Sequence, residues 1–378
     1  MKALVLTVTR SMLSSAFLSF FLGALFYLYL VDANSLLFKS LLVMFGVGFV
    51  LVERRSLNVV LPANKSLFVF FLFFWLVSVL FVFFNNARFE VFYFILLELV
   101  SVALAHMLVR NKVHHFLLIR FYWVFVFFVS LLCLLDFMGL HQYEGALLGG
   151  ASVNYSTSLL LGLSLLLVAL SFMREGVYKY LYLVPVVLIS IYLNSRFSAI
   201  VASSAFLFVF IFSIFRGNSW ARVICFGFAF SVIFLLLIFY DSLNLIGYVL
   251  SDPRIIIWGD YFGSVKFLNY MYGVEFRECC SIISDVFRNN PHNSIIRSFS
   301  IFGLGAFFYL LIIFTVVIVS VLFSQARFVG GIFMFWVIRC LTDSIAIPYY
   351  FDFIFFSLFF IVFNVKKIHN YDALKGVG

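Results

Sequence analysis

Residues 295–323 run for 29 positions with Arg297 as their single charged side chain, and residues 154–173 run for 20 with none. About 20 consecutive apolar residues are what a helix needs to cross the hydrocarbon core of a bilayer. Runs of this kind recur from one end of the chain to the other, and nothing else in the sequence limits the fold as strongly. Inside hydrocarbon the backbone must satisfy its own hydrogen bonds, and a single segment does that only as a helix. Charged residues make up 11% of the 378 positions, against roughly 25% in a soluble domain. A soluble nucleotide-binding enzyme, a secreted disulfide domain and a β-barrel are excluded. The sequence predicts an all-α, polytopic integral membrane protein with a single membrane domain over residues 1–378.

Twelve spans are expected, at 11–31, 36–52, 66–84, 91–109, 116–137, 154–173, 180–193, 197–215, 222–240, 295–323, 328–347 and 350–365. The seventh is short. It is separated from the eighth because Asn194, Ser195 and Arg196 interrupt two apolar runs that are together too long for one crossing. No internal repeat is visible, which disfavours an inverted-repeat transporter. The first span lacks the small-residue cleavage site of a signal peptide.

Basic residues fix the orientation, because Lys and Arg concentrate in cytoplasmic loops. Sixteen of the 25 fall in alternate connections that include both ends of the chain, and seven fall on the opposite side. Both termini are therefore expected in the cytoplasm. The net charge of +9 follows from this asymmetry, and no nucleic-acid partner is expected. The orientation also isolates one long outward loop, residues 241–294. Within it Trp258, Tyr261, Phe262, Val265, Leu268 and Tyr272 recur at helical spacing among polar and glycine positions. That pattern suggests an amphipathic helix lying on the outer membrane–water interface; a plain packed loop is the alternative.

Charge at membrane depth is costly, so each such residue is a candidate site. Arg196, in the outward turn between spans seven and eight, either snorkels to lipid headgroups or offers its planar fork to phosphate oxygens. Arg254 follows Asp252 and Pro253 at the start of the expected interfacial helix, where it can bind an anion or pair with Asp252. His292 stands in Pro291-His292-Asn293 just before span ten, with Arg288 and Arg297 nearby. A neutral imidazole there can act as a base or a hydrogen-bond acceptor. Pro291 and Asn293 are also good helix-start residues. Arg339 and Asp343 are four apart and share a helix face, either as a packing pair or with Arg339 lining an outward cavity. Glu98 and His106, eight apart, suit an interhelical hydrogen bond or a proton path. The five cysteines show no metal spacing, and a bond between the adjacent Cys279 and Cys280 would be strained. No phosphate loop, carboxylate dyad or metal motif is present, so no metal and no cofactor are expected.

In order and spacing, Leu193-Asn194-Ser195-Arg196, Arg254-Ile255-Ile256-Ile257-Trp258, and His292-Asn293 followed by Gly303-Leu304-Gly305 resemble the bacterial O-antigen polymerase and O-antigen ligase superfamily. Gly149-Gly150-Ala151-Ser152-Val153-Asn154 is also similar, and the resemblance covers roughly residues 150–345. Phe197 stands where that family often has a small residue, and the glycines after His292 are shifted from the ligase pattern. The resemblance implies an inverting, metal-independent glycosyltransferase of the bacterial inner membrane. Its donor would be an oligosaccharide on undecaprenyl diphosphate, used at the periplasmic face. It implies that Arg196 and Arg254 hold the diphosphate, with Arg297 and Arg339 as further members of the basic pocket, and that His292 serves the acceptor hydroxyl. A polymerase is favoured over a ligase by size, low charge and the glycine pattern. A chain-length regulator is a conceivable partner, and membrane lipid is an obligatory one. A lipid-linked oligosaccharide flippase is the alternative from another class; it would place its charges near the bilayer midplane.

Overall fold

The computed structural model describes residues 2–32, 35–57, 89–140, 152–215, 253–287, 290–324, 326–343 and 351–375, with positions 73, 76, 80 and 148. In chain order the helices are α1 (Lys2–Leu30), α2 (Leu36–Leu57), α3 (Phe89–Arg110), α4 (Lys112–Phe137), α5 (Val153–Glu175), α6 (Val184–Tyr192) and α7 (Arg196–Ile214). Then come α8 (Pro253–Ser264), α9 (Phe267–Tyr272), α10 (Phe276–Cys279), α11 (Ser294–Phe302), α12 (Phe307–Leu322), α13 (Ala326–Leu341) and α14 (Asp352–Lys375). Short 3₁₀ turns precede α6 and join α11 to α12, and a π-helical turn, Ile282–Val286, follows α10. No strand occurs among the described residues. Val91–Arg110, Val113–Phe137, Val153–Glu175, Arg196–Ile214 and Ser294–Leu322 are long and apolar enough to cross a membrane. The protein is a helical membrane protein. The ninth expected span, 222–240, lies outside the described residues, and so does the third, 66–84, except for positions 73, 76 and 80, which are helical.

Helix α5 is the axis of the bundle. Every residue from Ser156 to Met173 is buried, as expected for a helix that is apolar on all faces. Lipid tails are as apolar as leucine, so close packing and interhelical hydrogen bonds hold such helices together. Gly162 meets that need: a Cβ there would lie 2.7 Å from Ile354 Cδ1 and 2.8 Å from the Trp336 ring. At the far end of α5, Arg174 donates to the carbonyls of Leu108, Val109 and Asn111 at 3.0, 3.1 and 3.0 Å. It thereby closes the C-terminal end of α3, where carbonyls lack intrahelical donors and the helix dipole favours a cation.

Helices α3 and α14 pack side by side. Glu98 sits beside Asp352, and His106 lies edge-on to Phe360 with centroids 5.7 Å apart. Both pairs advance in the same direction, so the two helices run parallel. Glu98, buried in α3, also accepts a hydrogen bond from Tyr309 at 2.7 Å. Glu98 and His106 thus bond and pack to separate partners instead of forming one path.

Three expected elements take a different form. Span seven is a 3₁₀ turn followed by α6, whose nine residues rise about 14 Å at 1.5 Å per residue, well short of the ~30 Å hydrocarbon core. Span ten is broken at Gly303, where φ is +50°. The break admits the segment that precedes α11: a Cβ at Gly303 would lie 2.3 Å from Met271 O and 2.6 Å from Gly273 N. Beside it Val274 N donates to Ser300 O at 3.0 Å, and Ser300 Oγ donates to Val274 O at 2.7 Å. The loop's amphipathic helix, expected to carry Leu268 and Tyr272, ends at Ser264; those residues belong to α9.

The loop has a small core of its own. Ile257 and Tyr261 of α8 pack with Phe276, Cys280, Ile283 and Ile296, while Ile256, Phe262, Phe267 and Leu268 are exposed. Burial pushes the Tyr261 phenol up from its ordinary range. Asp260 Oδ2 accepts from Ile283 N at 3.1 Å, tying α8 to the π-turn. Cys279 and Cys280 are joined by a disulfide.

Candidate functional site

Four helix ends meet at the end of the bundle opposite Arg174: the starts of α5, α7 and α11 and the end of α13. Asn293 caps α11, its Oδ1 accepting from Ile295 N at 2.8 Å and Ile296 N at 3.1 Å, as the sequence predicts. Its Nδ2 donates to Leu341 O at 3.0 Å, and Ser294 Oγ donates to Asp343 O at 2.9 Å. These two bonds fix the end of α13 against the start of α11. His292, immediately before the cap, takes φ +46°, a left-handed conformation rare for a non-glycine residue. An Asx-type bond supports it: Asn290 Oδ1 accepts from His292 N at 3.0 Å.

Asp343 lies between His292 and Arg339. His292 Nδ1 is 3.5 Å from Asp343 Oδ1, with the imidazole 33% exposed and the carboxylate 2%. That separation is long for a hydrogen bond. Arg339 Nη2 donates to Asp343 Oδ2 at 3.2 Å and to Asn154 O at 3.3 Å. Its Nε donates to Ser198 Oγ at 3.2 Å and its Nη1 to Thr342 Oγ1 at 3.3 Å. Arg339 is 1% exposed, and its guanidinium stands over the Phe197 ring at 6.0 Å. A buried guanidinium needs a paired carboxylate and satisfied donors, and this one has both.

A hydroxyl network carries the arrangement from α5 to α7. Thr157 Oγ1 is 3.0 Å from Ser195 Oγ and 3.0 Å from Ser198 Oγ, and Ser195 Oγ donates to Asn154 Oδ1 at 2.8 Å. Thr157 and Ser198 are fully buried, whereas Asn154 is exposed, so the network reaches the protein surface. Asn194 adopts φ +52° in the turn that precedes α7. Arg196 is the first residue of that helix and is exposed.

The fold therefore brings His292, Arg339 and the Arg196 turn together. Arg297 belongs elsewhere: its guanidinium stands over Phe94 of α3 at 5.3 Å. Arg254 lies in the first turn of α8, and its side chain lies outside the described residues. Sequence reading missed Asn154, Thr157, Ser198 and Asn290 as site residues. It noted Asp343 only as the neighbour of Arg339. Asn154 and Thr157, three apart at the mouth of an uncharged run, were the available signal. Among the described residues no His, Cys, Asp and Glu group has the makings of a metal site.

The chain matches no protein-family model, no curated protein and no solved structure.

Proposed function

We propose that this protein is an O-antigen polymerase of the bacterial inner membrane, with about twelve spans, cytoplasmic termini and its site facing the periplasm. It would move glycan from undecaprenyl diphosphate to an acceptor sugar hydroxyl. The observation that carries the reading is the His292–Asp343–Arg339 array where the ends of four helices meet. Asp343 on Nδ1 selects the tautomer with Nε2 as acceptor, the logic by which a buried carboxylate orients a catalytic imidazole.

The chemistry follows from that orientation. The acceptor oxygen attacks the anomeric carbon, and its proton passes to His292 Nε2. The bond from that carbon to the diphosphate oxygen breaks, and the electron pair leaves with the lipid diphosphate. Attack opposite the leaving group inverts the anomeric centre. Two features favour an anion beside the base. Helices α5 and α7 begin there, and helix N-termini attract negative charge. Arg196, exposed at the start of α7, supplies a fork suited to phosphate, and Arg254 is its assigned partner. Arg339 takes a different part from the one the resemblance implies: four of its five N–H donors go to Asp343, Ser198, Thr342 and Asn154, so it holds the orienting carboxylate.

The test is deletion of the gene followed by electrophoresis of the cell's lipopolysaccharide. Loss of the ladder with one repeat unit retained is the expected result. Loss of all capped core would assign a ligase instead. Precursor stranded on the cytoplasmic side would assign a flippase and overturn the transfer reading.

A further inference from the structure

We infer that Tyr155, Phe287 and Asn290 form the subsite for the acceptor sugar ring, an inference that rests on the transfer reading above. Asn290 is the joint of this group. Its Oδ1 accepts from His292 N at 3.0 Å, and its Nδ2 donates to Tyr155 Oη at 3.3 Å. Phe287 stands edge-on to the imidazole, with ring centroids 6.1 Å apart and an interplanar angle of 87°. All three side chains are half-buried. Tyr155 borders the main core, whereas Phe287 borders the loop core. The group thus marks the seam where the loop meets the bundle, and His292 sits in that seam.

The chemistry of the acceptor matches this setting. His292 Nδ1 faces Asp343, so the hydroxyl that loses its proton must approach Nε2 on the far side of the ring. The sugar bearing that hydroxyl then lies among the groups flanking the imidazole. A pyranose presents apolar C–H faces and a rim of hydroxyls. Aromatic rings suit the faces, and a carboxamide, donor and acceptor at once, suits the rim. The groups that flank the imidazole are aromatic faces and a carboxamide, so the substrate class assigned is a pyranose held by stacking and neutral hydrogen bonds.

The experiment uses full-length protein and undecaprenyl-diphosphate repeat units extracted from cells lacking it. The acceptor and binding probe is the oligosaccharide released from that lipid by mild acid. Tyr155→Phe keeps the ring but removes the hydroxyl that accepts from Asn290 Nδ2, so it should raise acceptor KM less than Tyr155→Ala does. Tyr155→Ala and Phe287→Leu should raise KM for the acceptor about tenfold, the worth of one aromatic contact. Donor KM and kcat at saturating acceptor should not move. A Tyr155→Ala protein with wild-type acceptor KM, or with lowered kcat alone, overturns the subsite. Where Tyr155→Ala shows no turnover, saturation-transfer NMR with the oligosaccharide decides: binding lost there but kept in His292→Ala supports the subsite, and binding kept in both overturns it. Wild-type protein that binds the oligosaccharide without transferring to it defeats the transfer reading while leaving the subsite standing.

Discussion

Replacing Asp343 by Asn removes one charge from a pair in which both side chains are almost wholly enclosed, at 1% and 2% exposure. Breaking a buried pair by removing one partner costs about 3–5 kcal/mol, because the remaining charge stays buried and uncompensated. Arg339 keeps its bonds to Ser198, Thr342 and Asn154 O, and the new amide oxygen still accepts from Nη2. The cost should therefore fall at the low end, about 3 kcal/mol. At about 2.1 cal/mol/K of unfolding entropy per residue, a 378-residue chain shifts by roughly 1.3 °C per kcal/mol, so Tm should drop by about 4 °C. The double variant Arg339→Met, Asp343→Leu removes both charges, and replacing a whole buried pair by apolar residues is often neutral. It should recover most of that loss while transfer remains abolished, since nothing then orients His292. The assay is a heat ramp of detergent-purified protein followed by tryptophan emission, for which the buried Trp336 is a reporter. An Asp343→Asn protein that melts with wild type would show that the guanidinium does not depend on that carboxylate. The array would then lose its physical basis.

Arg196→Lys should lose most turnover while still accumulating in the membrane, since an ammonium supplies a point charge without the bidentate fork; near-normal glycan ladders would favour lipid snorkelling. His292→Ala should cut turnover by ~10²–10⁴, the usual worth of a general base, and His292→Gln should restore it only if orientation suffices. Gly303→Ala should lower stability by at least about 1–3 kcal/mol, since it puts a side chain on a φ of +50° and against the Met271 carbonyl; an unchanged melt would deny the loop's docking at the kink. Single cysteines near Asp260 in a cysteine-free background should react with an impermeant thiol reagent in spheroplasts, and those near Glu175 only after lysis. The reverse labelling would put the site on the wrong side.

The sequence by itself determined the class of fold and which polar residues were out of place. Uncharged runs of bilayer length permit only helices, and a cation or carboxylate within or beside them is expensive enough to be conspicuous. Local signals were legible for the same reason. Pro291 and Asn293 announce the start of α11, and Asn194, Ser195 and Arg196 announce the turn before α7, because capping and turns are settled within a few residues. Partnership was legible only where it is local: the four-residue spacing offers Asp343 to Arg339. Nothing local separates Arg196, exposed at a helix start, from Arg297, which stands over Phe94, and nothing local sets Arg339 against Asn154 and Ser198. That distinction depends on residues 100 to 200 positions away, such as Asn154 and Ser198 around Arg339, and no short-range pattern encodes such pairings. The same holds for His292, whose partner Asp343 lies 51 positions on. Only the packing of α5, α7, α11 and α13 brings their polar ends together, because in a bilayer each buried polar group must find its partner within the protein.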